Sequence, residues 1–182
     1  MDTLDNVPDG WQVTIEVDDD PANPRDMSDD PIHVLTVPDR DYGDVDRNPG
    51  PWGPQWRDLL GRYDWSKAIE IMMRYARLTG GYAHESAPHD GPRSVWYLTR
   101  EDAADWTDPQ SALAAYADEY AAWRHGEVYG YVIRQRVAWQ RVDNSEVTED
   151  RWEIVDSCWG YYGGPDGHVE QAAREALAAL VG

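Results

Sequence analysis

The sequence predicts an α+β fold in which an antiparallel sheet carries about three helices. Short segments that alternate apolar and polar residues indicate strands, and segments with apolar residues three and four positions apart indicate helices. The last two strand segments are joined by a polar connection too short for a parallel crossover, which favours antiparallel pairing. The chain has 182 residues, long enough to bury a core, and we expect a single domain, 1–182.

The predicted domain begins with an acidic, proline-rich segment, 1–50, followed by the main α+β core, 51–182. The first segment contains 14 acidic residues and 3 arginines. Its alternating stretches WQVTIEV (11–17) and PIHVLTV (31–37) predict two short strands joined by a solvated loop. NPGPWGPQW (48–56) is so rich in Pro and Gly that we expect neither a helix nor a central strand there.

The core is predicted to continue with alternating helices and strands. In order, we expect a helix at 64–81, a loop at 82–93, a strand at 94–99, a helix at 109–124, strands at 127–142 and 149–163, and a helix at 168–180. In the first of these helices the apolar residues between Ala68 and Ala76 form one stripe, and Asp64 or Ser66 can cap its start. Asp108 is the expected cap of the second.

The charge of the chain limits its partners. The formal net charge is −19, and Lys67 is the sole lysine. Direct binding of nucleic acid or of an anionic membrane is disfavoured, because phosphate contacts need clustered Lys and Arg. The negative field instead favours a host protein with a basic surface. The N-terminus lacks an apolar run, and no stretch is long enough to span a membrane, so we expect a protein of the bacterial cytoplasm.

The candidate partner-binding residues are aspartates of the acidic segment. They are Asp18, Asp19, Asp20, Asp26, Asp29, Asp30, Asp39, Asp41, Asp44 and Asp46. The last four surround Gly43 in DRDYGDVD (39–46), whose spacing differs from that of a calcium-binding loop. The histidines of HESAPHD (84–90) lack the spacing of a zinc site. We therefore expect no metal, no cofactor and no catalytic residues.

The stretch DSCWGYYGG (156–164) contains the single cysteine, Cys158. Strict alternation would place Trp152, Ile154, Asp156 and Cys158 on one face of a strand. A reactive thiol needs a nearby cation or base, and none is close in sequence. We expect Cys158 to pack as a small hydrophobic residue at a strand end, before a Gly163–Gly164 turn.

The same region resembles a known group of proteins. The order GEVYGYVIRQ, DSCWGYYG and an alanine-rich helix is similar to the C-terminal part of small uncharacterised proteins of actinobacterial phages. The resemblance covers residues 126–178. It implies a phage or prophage source, and it supplies no activity and no catalytic residues.

Three functional hypotheses follow. The first is a non-enzymatic phage accessory protein that binds a host protein through its acidic surface, as DNA-mimic antirestriction and some anti-CRISPR inhibitors do. The second is a small enzyme or metal-binding module with an aromatic pocket near Asp156 and Cys158. The third is an acidic domain whose charge reflects adaptation to salt. The distribution of carboxylates on the surface distinguishes these hypotheses.

Overall fold

A computed structural model describes residues 2–27, 29–36, 49–86, 93–140, 148–165 and 167–182. Their strands are β1 (Asp2–Thr3), β2 (Trp11–Val17), β3 (His33–Thr36), β4 (Tyr82–Ser86), β5 (Ser94–Leu98), β6 (Val128–Gln140) and β7 (Thr148–Tyr162). Their helices are α1 (Pro24–Met27), α2 (Gly53–Arg62), α3 (Trp65–Thr79), α4 (Pro109–Arg124) and α5 (His168–Val181), and a 3₁₀ turn spans Gly50–Trp52. The fold is α+β with antiparallel pairing, as expected. It has two sheets rather than one, and five helices rather than three in this part of the chain.

The chain forms two compact units. The terminal unit comprises Met1–Asn23 and Ala122–Gly182, and the central unit comprises Pro24–Ala121. The sheet of the terminal unit has the order β1-β2-β6-β7 and that of the central unit β3-β5-β4. The acidic segment therefore contributes β1 and β2 to the terminal sheet and β3 to the central sheet. The predicted division into 1–50 and 51–182 remains a prediction.

Helix α5 packs on one face of the terminal sheet. Val13, Ile15, Tyr131 and Ile133 point from β2 and β6 towards this helix. They form a core with the buried helix residues Val169, Ala173 and Leu177. These three helix residues recur every four positions, which is the spacing of one helix face. Leu180, three positions after Leu177, was expected to face inward with them but is exposed.

Two irregularities change the alternation of β7 against β6. Ile133 pairs with Asp156 but Arg134 pairs with Ile154, so Val155 is an extra residue in β7. A second shift lies between the pairs Tyr129–Tyr161 and Tyr131–Cys158. Gly160, with φ of 87°, supplies the left-handed backbone conformation that such a bulge favours. The face assignment predicted from strict alternation is therefore wrong for part of this strand.

The central unit has helices on both faces of its three-stranded sheet. Val95 and Tyr97 of β5 face α2 and α3, whereas Trp96 and Leu98 face α4. The chain contains no Phe, and its large aromatic residues bring polar atoms into the core. These atoms have partners: Trp56 Nε1 donates to the Thr36 carbonyl at 2.8 Å, and Tyr97 Oη donates to the Pro49 carbonyl at 2.6 Å. Such pairing avoids the cost of burying a free polar group.

Two local expectations are wrong. Helix α2 begins at Gly53, inside the stretch in which no helix was expected. Pro54 lies in its first turn, where a backbone N–H has no partner within the helix, so proline is tolerated there. Residues 82–86, expected as loop, form β4 and pair with β5 from Tyr82–Leu98 to Ser86–Ser94. Residues 87–92 of that expected loop lie outside the described residues.

Candidate functional site

The aspartates proposed to bind a partner are divided between the two units. Asp18, Asp19 and Asp20 follow β2 in the terminal unit. The Asp18 N–H donates to the Val128 carbonyl at 2.8 Å and so extends the pairing with β6, while its Oδ1 accepts from the Asp20 N–H at 3.2 Å. The side chains of Asp19 and Asp20 are exposed. This turn therefore presents carboxylates to solvent from a strand that is fixed in the sheet.

The second group lies in the central unit, in α1 and in the connection from α1 to β3. Asp26 belongs to α1 and is exposed, and so are Asp29 and Asp30. The Tyr116 hydroxyl donates to the carboxylate of Asp30, so this residue also has a structural contact. The four remaining predicted residues, Asp39, Asp41, Asp44 and Asp46, lie outside the described residues.

Four arginines of the terminal unit pair with carboxylates outside the aspartate turn. Arg134, Arg136, Arg151 and Arg174 each form an ion pair, with Glu16, Asp150, Glu149 and Glu170 respectively. Among the described residues, no ion pair joins Asp18, Asp19 or Asp20 to a basic side chain. A cationic partner can therefore approach this turn without displacing any of these four arginines.

A second cluster surrounds Cys158 on β7. Cys158 and Asp156 pair with Tyr131 and Ile133, so both lie on the face that carries α5. Trp152 and Ile154 lie on the opposite face because Val155 is the extra residue. The Tyr131 hydroxyl donates to Asp156 Oδ2 at 3.1 Å, and the Ser157 N–H donates to Asp156 Oδ1 at 2.9 Å. Both oxygens of this carboxylate are thus engaged.

The cluster raises the pKa of two tyrosines. Burial, followed by the hydrogen bond to the Asp156 carboxylate and its charge, raises the pKa of Tyr131 to about 12. Burial and then the hydrogen bond to Cys158 raise the pKa of Tyr161 to about 12. Both phenols are therefore neutral at physiological pH. They can donate hydrogen bonds, but they are poorly suited to accept a proton as general bases.

Cys158 is exposed, so the expectation that it packs as a buried hydrophobic residue is wrong. Cys158 lies on the outermost described strand of the sheet, most of whose residues are exposed. Its titratable neighbours are two phenols and a carboxylate, none of which is cationic. None of these neighbours is the cation or base that activates a nucleophilic thiol.

A histidine–carboxylate pair that the sequence did not indicate lies in the central unit. His33 Nε2 is 3.4 Å from Asp102 Oδ2, which also accepts from the Thr99 hydroxyl at 2.6 Å. Gly50, with φ of 58°, lies against the imidazole, and a Cβ there would come within 2.5 Å of the ring. The ring of Tyr97 is 5.0 Å away. Since His33 and Asp102 are 69 positions apart, no spacing in the sequence could identify this pair.

Comparison with known proteins gives no family or function for this chain, because no protein-family model, curated protein or solved structure matches it. Within the described ranges, no group of three or more His, Cys, Asp or Glu side chains is arranged to hold a metal ion. The helices in those ranges are also too short or too polar to cross a membrane.

Proposed function

We propose that this protein is a non-enzymatic accessory protein of a phage or prophage, and that it binds a basic host protein through its acidic surface. The observation that supports this proposal is the exposed turn Asp18–Asp20, which no described ion pair neutralises in a chain of net charge −19. A DNA-mimic-like inhibitor of a host defence protein is the specific form proposed, because carboxylates can occupy a groove that binds phosphates. The residue pattern of 126–178 supports the phage origin.

Salt adaptation is the competing explanation for the charge. In that case carboxylates improve hydration everywhere and no particular group of them affects a partner. In the proposed function the aspartate groups steer association. Since the Debye length falls from about 30 Å at 0.01 M salt to about 10 Å at 0.1 M, steered association slows steeply over this range. The rate of association with the partner therefore distinguishes the two explanations.

The experiment begins with capture of the partner from a bacterial lysate at low salt. A six-residue variant replaces Asp18, Asp19, Asp20, Asp26, Asp29 and Asp30 with Asn. A control variant replaces the exposed residues Asp2, Asp5, Asp9, Glu101, Asp105 and Asp118 with their amides, three in each unit. Both variants carry the same net charge. We expect both to fold, because the replaced side chains are on the surface and an amide oxygen still accepts hydrogen bonds.

Association rates are then measured with the purified partner at 0.01 and 0.1 M salt. We expect the six-residue variant to associate at least about tenfold more slowly than the control at low salt, and the wild-type rate to fall steeply as salt rises. Equal rates for the two variants, or a wild-type rate that does not change with salt, would contradict the proposed function.

A further inference from the structure

Strand β7 is the edge of the terminal sheet among the described strands. It is 15 residues long, and most of its residues are exposed. An edge strand leaves a row of backbone N–H and C=O groups without ladder partners, and these groups can pair with another extended chain. Natural edges are usually short or covered. The length and exposure of this one therefore require an explanation.

The regular part of this edge is Thr148–Ile154. It pairs without interruption with Arg134–Gln140 of β6, whereas the bulge at Val155 disturbs the strand beyond it. Strand β2 pairs with β6 only as far as Gln135 among the described residues. Because the Arg136 N–H also donates to the Gly10 carbonyl at 2.8 Å, the part of the segment outside this pairing is Thr148–Arg151. Among the described residues that part belongs to a ribbon of two strands, an arrangement that is marginally stable in water and gains from a third strand.

The two faces of the segment differ in chemistry. Trp152 and Ile154 lie on one face and are 48% and 63% exposed. Asp150 lies on the same face and is already paired with Arg136 of β6. On the other face, Arg151 lies between Glu149 and Glu153, and Glu153 accepts a hydrogen bond from Trp139 Nε1 at 2.8 Å. An added strand would place alternate side chains next to these two faces. Its partner residues would be apolar on one face and cationic on the other.

Charge argues against a second copy of this chain as the added strand. The segment contains three carboxylates and one guanidinium, and each copy has a net charge of −19. Pairing two such edges would bring like charges close together, which is destabilising across a strand pair. A basic segment has the complementary charge.

We propose that the outer edge of Thr148–Ile154 binds an extended segment of a partner protein in which basic and apolar residues alternate. The partner's backbone extends the sheet, and its apolar side chains cover Trp152 and Ile154. Its cations contact Glu153 and Glu149, and Glu149 shares its carboxylate with Arg151. This inference rests on the proposed function, because it takes the partner to be basic. It adds the recognition mode, strand addition at a sheet edge.

The test uses a synthetic seven-residue peptide of alternating lysine and valine. Two control peptides have the same lysine and valine content: one groups the lysines and the valines into two blocks, and one keeps the alternating order with every backbone nitrogen methylated. N-methylation removes backbone donors while the charge is unchanged. Binding to the full chain is measured by calorimetry, and the bound site is located by amide hydrogen exchange. We expect the alternating peptide to bind at least about tenfold more tightly than either control and to protect amides within 148–154.

Two protein variants separate this inference from the proposed function. Glu149→Gln with Glu153→Gln should weaken binding of the alternating peptide about tenfold or more, because it removes two carboxylates and preserves the side-chain shape. The six-aspartate variant should bind the peptide at close to the wild-type affinity. If it loses peptide binding, or if the protected amides lie at 18–20, the peptide is reporting the acidic turn and the strand-addition proposal is wrong.

Three other outcomes would also decide whether the edge binds a strand of a partner. Equal binding of the N-methylated peptide would show that charge without backbone pairing is sufficient, and would overturn the proposal. A dimer in light scattering whose amides at 148–154 are protected without peptide would assign the edge to a second copy instead. If the alternating peptide does not bind but the captured partner still associates at a rate that depends steeply on salt, strand addition is rejected and the proposed function stands.

Discussion

Gly130 of β6 lies beneath the indole of Trp159, and this contact allows a sharp test of the β6–β7 packing. A Cβ at position 130 would lie 2.2 Å from Trp159 Cε3 and 2.7 Å from the Cys158 carbonyl oxygen. The backbone of Gly130 does not have a positive φ, so the restriction is one of space. Gly130→Ala must therefore displace the indole, the neighbouring strand, or both.

The expected loss of stability in Gly130→Ala is the difference between two opposing effects. Adding a methyl group to a closely packed site costs about 1–3 kcal/mol. Replacing Gly by Ala reduces the entropy of the unfolded chain and returns about 0.4–1 kcal/mol. We expect the free energy of unfolding to fall by about 1–2 kcal/mol, and the Tm to fall by about 2–8 °C for a chain of this size. Trp159 is 44% exposed and can partly move away, which keeps the expected cost in this range.

The contact itself is measured by a double-mutant cycle with Trp159→Ala. Without the indole, the remaining close contact of the new methyl group is with the Cys158 carbonyl. We expect Gly130→Ala to cost at least about 0.5 kcal/mol less in the Trp159→Ala background than in the wild type. Urea denaturation followed by far-ultraviolet circular dichroism gives all four free energies. If Gly130→Ala has no effect in the wild type, or costs the same in both backgrounds, the packing described here is incorrect.

Two further predictions concern the cluster on β7. Cys158→Ser should change the free energy of unfolding by no more than about 0.5 kcal/mol, because the side chain is exposed. For the same reason the thiol of the native protein should react with a thiol reagent nearly as fast as in urea. A protected thiol, or a loss of stability above about 1 kcal/mol, would argue that Cys158 is buried. For Tyr131 and Tyr161 the raised pKa means that the folded state keeps a proton that the unfolded state loses near pH 10. Their contribution to stability is therefore complete below pH 10 and is lost as the pH rises through about 12. A phenolate absorbance titration should show two tyrosines ionising late, and Asp156→Asn should lower the pKa of Tyr131; an unchanged titration in this variant would exclude the Asp156 contribution.

The sequence predicts most elements of this fold because their patterns are local. The strand expected at 11–17 is β2, with the same bounds, and the helices expected at 109–124 and 168–180 are α4 and α5 within a residue. Asp64 caps α3 by accepting from the Lys67 N–H at 2.9 Å, as its position indicates. Periodicity and capping depend on residues a few positions apart, and such information is present in the chain itself.

The features that sequence reasoning misses depend on distant parts of the chain. The division of strands between two sheets is decided by pairing partners such as Val13 with Ile133, which are 120 positions apart. Strand β4 was not expected because Tyr82–Ser86 has little apolar alternation and is formed through its pairing with β5. For the partner-binding site, the sequence predicted which aspartates take part but not where they lie relative to one another. Six of the aspartates are described and exposed to different degrees, but their division between two units was not visible in the sequence.

The extra residue Val155 determines which chemistry β7 presents on each face. Without it, Trp152 and Ile154 would continue on the same face as Asp156 and Cys158, towards α5. With it, Asp156 turns to Tyr131 on the helix side, while Trp152 and Ile154 remain on the opposite face and are exposed. An exposed apolar edge of this kind usually promotes self-association. The carboxylates at Glu149, Asp150, Glu153 and Asp156 oppose pairing between copies, because each edge would meet its own charge. The same charges would attract a cationic strand, so the carboxylates that oppose pairing between copies also favour the partner proposed for this edge.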